Sequence, residues 1–279
     1  MKKIALAILL LFPFLIVEAQ KSCCPKQSEM QTLAMQTDFK AAHLAPLPLN
    51  YSPEKGKMIS FPVKKGKEGH AFYIPADKET DKVLIIFHEW WGLNDYIKKA
   101  SINWQNLLDN NVEVYAIDLY DGNVATEPNE ASKLMSQLDS KRAEAIIRGL
   151  LQKIGKNKKI ATLGWCMGGT WSFAGTLAAG NQALGCVMYY GFPEEDETKI
   201  NSLKTDVIYI WGSKDKFIKK ENVEAFGKKI TNTHNKFDMH SFDADHAFAN
   251  PSNPKYDVKA ANEAQELVLM FLKNKLSIK

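Results

Sequence analysis

Four residues in this chain have the types and settings that nucleophilic chemistry needs: Cys166, Asp215, His246 and Glu89. Cys166 is the third residue of GWCMGG (164–169), which follows the apolar run KKIATL and precedes the small, apolar stretch TWSFAGTLAA. A sharp strand-to-helix turn crowds backbone against backbone, so a nucleophile there needs small residues two places before and two places after it. Gly164 and Gly168 occupy those places. The turn would present Cys166 at a helix N-terminus, where unpaired N–H groups and the positive end of the helix dipole favour a thiolate and a developing oxyanion. His246, in the loop after a late strand, is placed to act as base, and Asp215, in GSKD at the end of the preceding strand, to orient it. The chain order Cys, Asp, His is the order that such a triad takes on a parallel sheet. Asp243 and Asp245 are rival orienters, but their closeness to His246 in sequence would demand a tight local bend.

Glu89 follows the apolar run KVLIIF in HEWWG (88–92). A carboxylate at the end of a buried strand is costly unless it has a donor partner. The His-Glu pair would begin the zinc motif H-E-x-x-H, yet position 92 is Gly, so no metal is expected. The remaining reading sets Glu89 over Cys166, where it would tune the thiol's protonation. The backbone N–H groups of Trp90 and Met167 would then pair as an oxyanion hole. Trp90 and Trp165 flank this chemistry and are expected to touch the substrate pocket, whereas His43, His70 and His234 lack convergent partners and read as surface or locally bonded. Neither G-x-G-x-x-G nor G-x-x-x-x-G-K-[ST] occurs, and no cofactor is expected.

Elements must hold these residues at one edge. Apolar runs suggest strands over 57–63, 69–74, 81–87, 112–118, 158–165, 183–191, 204–212 and 235–240, the first two as a hairpin. Helical spacing or composition suggests helices over 129–137, 140–154, 167–179, 221–230 and 258–276. Alternating strands and helices, with strands apolar on both faces, predict an α/β fold whose mostly parallel sheet is covered by helices on both faces.

Composition narrows the class of partner. The 279 residues are 45% apolar and 24% charged, which is ordinary for a globular chain. The formal charge of +4 comes from 36 basic and 32 acidic residues interspersed without a basic stripe, so nucleic acid is excluded as a partner. Residues 1–19, with a basic start and a short apolar run, read as a secretory signal cut after Ala19. That reading implies a periplasmic or secreted protein with no stable membrane span after processing; the alternative is a retained N-terminal anchor. Lipidation fits less well, because the residues before Cys23 are Gln20, Lys21 and Ser22. Residues 20–54 read as a tethered, mobile polar leader, and 55–279 as one domain. Four cysteines are too few for a disulfide scaffold, and no Cys-x-x-Cys pair supports a redox protein. Without any interface signal, a monomer is the expectation.

The pieces HEWWG, AIDLYDG, GWCMGG, GSKD and DADHAFAN together resemble the dienelactone hydrolase family, over about residue 57 to the C-terminus. The resemblance implies an α/β-hydrolase fold and a small ester or lactone substrate. It implies Cys166 as nucleophile with Asp215 and His246 as its partners, and the Trp90 and Met167 amides as oxyanion donors. It also implies that Glu89 interacts with the resting thiol and moves away when substrate binds. Members that cleave dienelactone carry an arginine where this chain has Asn250, and a second arginine in the region of 121–139, which here contains none. A substrate carboxylate would therefore be poorly neutralised beside Asn250, unless Lys133, Lys141 or Arg142 supplied the charge, and neutral or weakly polar substrates are expected. The alternative is a noncatalytic small-molecule binding protein on the same fold, although binding alone does not require the Cys, Asp, His order.

Overall fold

Strands with no polar face need cover on both sides, and the architecture supplies it. The computed structural model describes residues 27–49, 51–64 and 66–279. Its strands are β1 (Lys57–Phe61), β2 (Gly69–Ile74), β3 (Lys82–Phe87), β4 (Glu113–Asp118), β5 (Lys159–Trp165), β6 (Ala183–Tyr189), β7 (Val207–Gly212) and β8 (Phe237–Phe242). Its α-helices are α1 (Gln27–Met35), α2 (Thr37–Ala42), α3 (Asp95–Leu107), α4 (Pro128–Ser136), α5 (Ser140–Ile154), α6 (Met167–Ala179), α7 (Glu197–Ile200), α8 (Lys220–Thr231) and α9 (Val258–Leu276). The eight strands form one sheet in the order β1-β2-β4-β3-β5-β6-β7-β8. The hairpin β1-β2 is antiparallel and β2 joins β4 antiparallel; every pairing from β4 through β8 is parallel.

Adjacent residues on β6 show that the sheet is covered twice. A Cβ built on Gly185 would meet Phe271 and Lys275 of α9, whereas the Cys186 thiol faces Ser172 of α6. Successive side chains point to opposite faces, so α6 and α9 lie on opposite sides. Helix α6 is apolar all round, as a helix enclosed by protein should be, and all of its residues but Ala178 are buried. Thr162 of β5 bonds both the Ser172 carbonyl and the Thr176 hydroxyl, so these hydroxyls under α6 are paired within the core.

Beside the one-turn helix α7 (Glu197–Ile200), which was not expected, two longer segments depart from the sequence reading. Helix α3 was not expected, because its buried face includes Ser101 and Gln105 alongside Ile97, Ile102 and Trp104. The polar pair breaks the apolar period, yet Ser101 donates to the Ile97 carbonyl and the Gln105 amide nitrogen to the Pro75 and Val112 carbonyls, which offsets the burial of those donors. The leader is not free over 27–49. Met30, Leu33, Ala34 and Phe39 are buried, Ser132 of α4 donates to the Ala34 carbonyl, and Leu47 is tied to Ser252 and Tyr96. The proposed signal segment and Cys23 and Cys24 lie outside the described residues. No helix among the described residues is long and apolar enough to cross a membrane.

Candidate active site

All four singled-out side chains emerge just beyond the C-terminal ends of strands: Glu89 after β3, Cys166 after β5, Asp215 after β7 and His246 after β8. That edge is where open parallel sheets bind ligands, because the strand ends and the loops following them diverge there.

The turn after β5 has the crowding that its glycines imply. A Cβ on Gly164 would stand 2.0 Å from the Gly168 carbonyl oxygen, and one on Gly168 would stand 2.3 Å from the Phe87 oxygen. Cys166 itself has φ 54° and ψ −122°, a strained conformation for a non-glycine residue worth roughly 1–3 kcal/mol. The surroundings hold it there: its N–H donates to the Tyr189 carbonyl at 3.0 Å, and its carbonyl accepts from Gly169 at 2.9 Å. Met167 begins α6, so its N–H belongs to the first turn and has no partner within the helix. The contact of Gly168 with the Phe87 and His88 oxygens brings this helix start against the segment that carries Glu89 and Trp90.

His246 connects the other two residues. Its Nε2 lies 3.3 Å from Cys166 Sγ, and its Nδ1 lies 2.6 Å from Asp215 Oδ2. Asp215 Oδ1 accepts from the Phe217 and Ile218 amides at 2.8 and 2.9 Å, which fixes the carboxylate's orientation. Asp215, not Asp243 or Asp245, is therefore the carboxylate on the imidazole; Asp243 instead pairs with Lys214 at the surface. Burial alone would lower the His246 pKa, but the charges of Asp215 and Cys166 and its hydrogen bonds to both hold it well above 6.5. Burial alone would raise that of Asp215, but His246 and the two amides hold it below the ordinary carboxylate value.

Glu89 is buried and receives a hydrogen bond on Oε2 from the Asn250 amide. Asn250 is oriented in turn by Ser252, whose N–H and hydroxyl both donate to Asn250 Oδ1. Burial raises the Glu89 carboxyl to about 8, against the opposing influence of His246 and Asn250. His88 uses both ring nitrogens on backbone: Nε2 accepts from the Leu119 N–H, so Nδ1 carries the proton and donates to the Glu89 carbonyl. It ties the ends of β3 and β4 together.

A cleft of about 220 Å³ opens beside these residues, lined by Glu89, Trp165, Tyr189 and Asn250 together with Tyr96 and Lys99 of α3. Cys166 is only 2% exposed. Of the basic residues expected to compensate for the missing arginines, Arg142 is engaged elsewhere, paired with Asp121 and donating to the Lys67 and Glu68 carbonyls. The cation lining the cleft is Lys99, which the sequence reading missed along with α3.

His43 is locally bonded, through Nδ1 to the Phe39 carbonyl, but it is not at the surface and does not lack convergent partners: it is buried, with its ring 5.3 Å from that of His246 and 4.7 Å from that of Trp90. Phe39, four residues earlier, is fully buried with its ring edge-on to Trp90 and to Phe217. The signal available in sequence was this spacing, which puts Phe39 and His43 on one side of a helical turn.

The family profile described as the dienelactone hydrolase family matches residues 70–276. The chain is 28% identical over 235 residues to the protein called usf of Aquifex pyrophilus, covering 80% of this chain and 100% of that one. It is 27% identical over 228 residues to carboxymethylenebutenolidase of Pseudomonas putida, covering 74% and 92% of the two chains. Its fold is similar to that of a dienelactone hydrolase-like promiscuous phosphotriesterase from metagenomic libraries, with a TM-score of 0.66 at 16% identity over 79% of this chain and 98% of that one. The profile spans well over half of the 279 residues, and with the eight-stranded sheet it leads to one assignment: the chain belongs to the dienelactone hydrolase family of α/β-hydrolases and is a carboxylic ester or lactone hydrolase.

Proposed function

We propose that Cys166 is the nucleophile of this hydrolase and that small, neutral or weakly polar esters and lactones are cleaved through a thioester intermediate. The observation that carries the reading is the continuous chain Cys166–His246–Asp215, at 3.3 and 2.6 Å, on a strained turn at the start of α6. Substrate enters from the cleft, past Glu89, whose carboxyl is held by Asn250. Cys166 sulfur attacks the carbonyl carbon while its proton resides on His246, whose positive charge Asp215 stabilises. The Trp90 and Met167 amides receive the oxyanion. Collapse breaks the ester C–O bond, and His246 returns the proton to the departing alkoxide. A water then gives its proton to His246 and its oxygen to the acyl carbon, the thiolate leaves, and the acid is released.

Trp165 and Asn250 would shape the substrate pocket, Asn250 by holding Glu89. The test is Cys166→Ala with an activated short-chain ester as substrate. Turnover should fall at least about a thousandfold, as for loss of a nucleophile that acts as a unit with its base. The acyl adduct seen by intact-protein mass spectrometry in the parent should disappear. An adduct that persists on the variant would sink the assignment.

A further inference from the structure

The Cys166 reaction gives His43 no task, yet its setting is that of a metal ligand. Its Nδ1 donates to the Phe39 carbonyl at 2.7 Å, which leaves Nε2 as a lone-pair donor, and among the described residues that buried atom has no hydrogen-bond partner. His246 is arranged the same way, with Nδ1 on the Asp215 carboxylate and Nε2 toward the sulfur. An imidazole oriented by a carbonyl or carboxylate on one nitrogen and open on the other is the recurrent form of a metal-binding histidine. One ligand atom from each of His43, Cys166 and His246 lies within 4.8 Å of the others.

We propose that these three side chains form a binding site for a soft or borderline cation of the Zn²⁺ class, and that occupancy silences the thiol. A tetrahedral ion about 2.3 Å from sulfur and about 2.0 Å from nitrogen holds its ligands about 3.5 Å apart. Cys166 and His246 already stand 3.3 Å apart, and His43, just beyond the short helix α2, has to approach by about 1 Å. A thiolate with two imidazoles selects zinc or cuprous copper over magnesium or calcium. The thiolate and the Asp215 carboxylate behind His246 together match the charge of a divalent ion. Binding expels to solvent the one proton that Cys166 Sγ and His246 Nε2 share, and no electron moves. His43 precedes the region matched by the family profile, residues 70–276, so the third ligand comes from the leader and not from the matched family region.

The site shares two side chains with the proposed reaction, but the test needs no turnover, so failure of one reading is distinguishable from failure of the other. The full chain is titrated with Zn²⁺ while alkylation of Cys166 by iodoacetamide is followed by peptide mass, and Co²⁺ is added separately to look for a thiolate-to-cobalt charge-transfer band. In the parent, Zn²⁺ near equimolar ratio should protect Cys166, and the cobalt band should appear. His43→Ala and His43→Gln should each weaken protection tenfold or more, with the metal-free alkylation of each variant and its circular dichroism serving as the folding reference. No protection in the parent would overturn the proposal. So would equal zinc affinity in a folded His43 variant, which would restrict the ion to the Cys–His pair.

Discussion

Glu89 is the residue whose ionisation the surroundings alter most informatively. Its carboxyl is buried, one oxygen rests on Asn250, and burial holds it at about 8 against an ordinary 4.5. The acid is therefore mostly neutral at pH 7, and a glutamine is close to isosteric with it. Glu89→Gln should leave Cys166 alkylation little changed below about pH 7, and should accelerate it above about pH 8, where the parent carries a carboxylate that opposes thiolate formation nearby. An identical alkylation profile from pH 6 to 9 would reject the coupling. Stability follows the same ionisation with a definite sign. A carboxyl whose folded value is raised contributes fully below about 4.5 and loses that contribution as pH rises through about 8. The Tm advantage of Glu89→Gln over the parent should thus widen between pH 5 and 9 by several degrees, at about 2–4 °C per kcal/mol for a chain this large. A constant difference across that range would mean that the carboxyl titrates alike in both states.

At the scale of elements, the strand-to-helix junction from β5 to α6 determines the geometry of the site. It was readable because its requirement is steric and local: two glycines, two residues either side of the cysteine, answer the need for backbone to pass backbone. Gly164→Ala puts a methyl group 2.0 Å from the Gly168 carbonyl oxygen, a backbone atom that cannot rotate away. The expected loss is about 3 kcal/mol or more, read as a lower urea midpoint or as failure to accumulate folded protein. A variant with a parental midpoint would show that the turn relaxes freely. Helices α2 and α3 were not readable in the same manner. In α3 the buried face carries Ser101, bonded to the Ile97 carbonyl of its own helix, and Gln105, which donates to the distant Pro75 carbonyl, and in α2 the buried Phe39 meets partners as distant in sequence as Phe217 and His246.

At the scale of the whole molecule, the cleft joins α3 to the strand ends and to the loop after β8, and its charge is an outcome of that assembly. Lys99 lines it, but on the solvent side, where a single ion pair is worth no more than about 1 kcal/mol. A lactone bearing a carboxylate should therefore be preferred over its uncharged analogue by no more than about fivefold in kcat/KM, with the preference erased by Lys99→Ala or by high salt. A large, salt-insensitive preference that survives Lys99→Ala would require a buried cation.

The chain by itself determined the features whose causes are local or periodic. Apolar runs made the strands of the mostly parallel sheet, glycine spacing made the turn at Cys166, and chain order named Asp215 and His246 before any distance was known. Only the tertiary structure decided how those residues meet others far along the chain. It joined Asn250 to Glu89, drew Arg142 away to Asp121, brought Lys99 to the cleft and set His43 beside His246. The physical reason is that such contacts follow from how whole elements pack. Side chains separated by tens or hundreds of residues carry no shared period, and their polar atoms find partners only when the layers close around them.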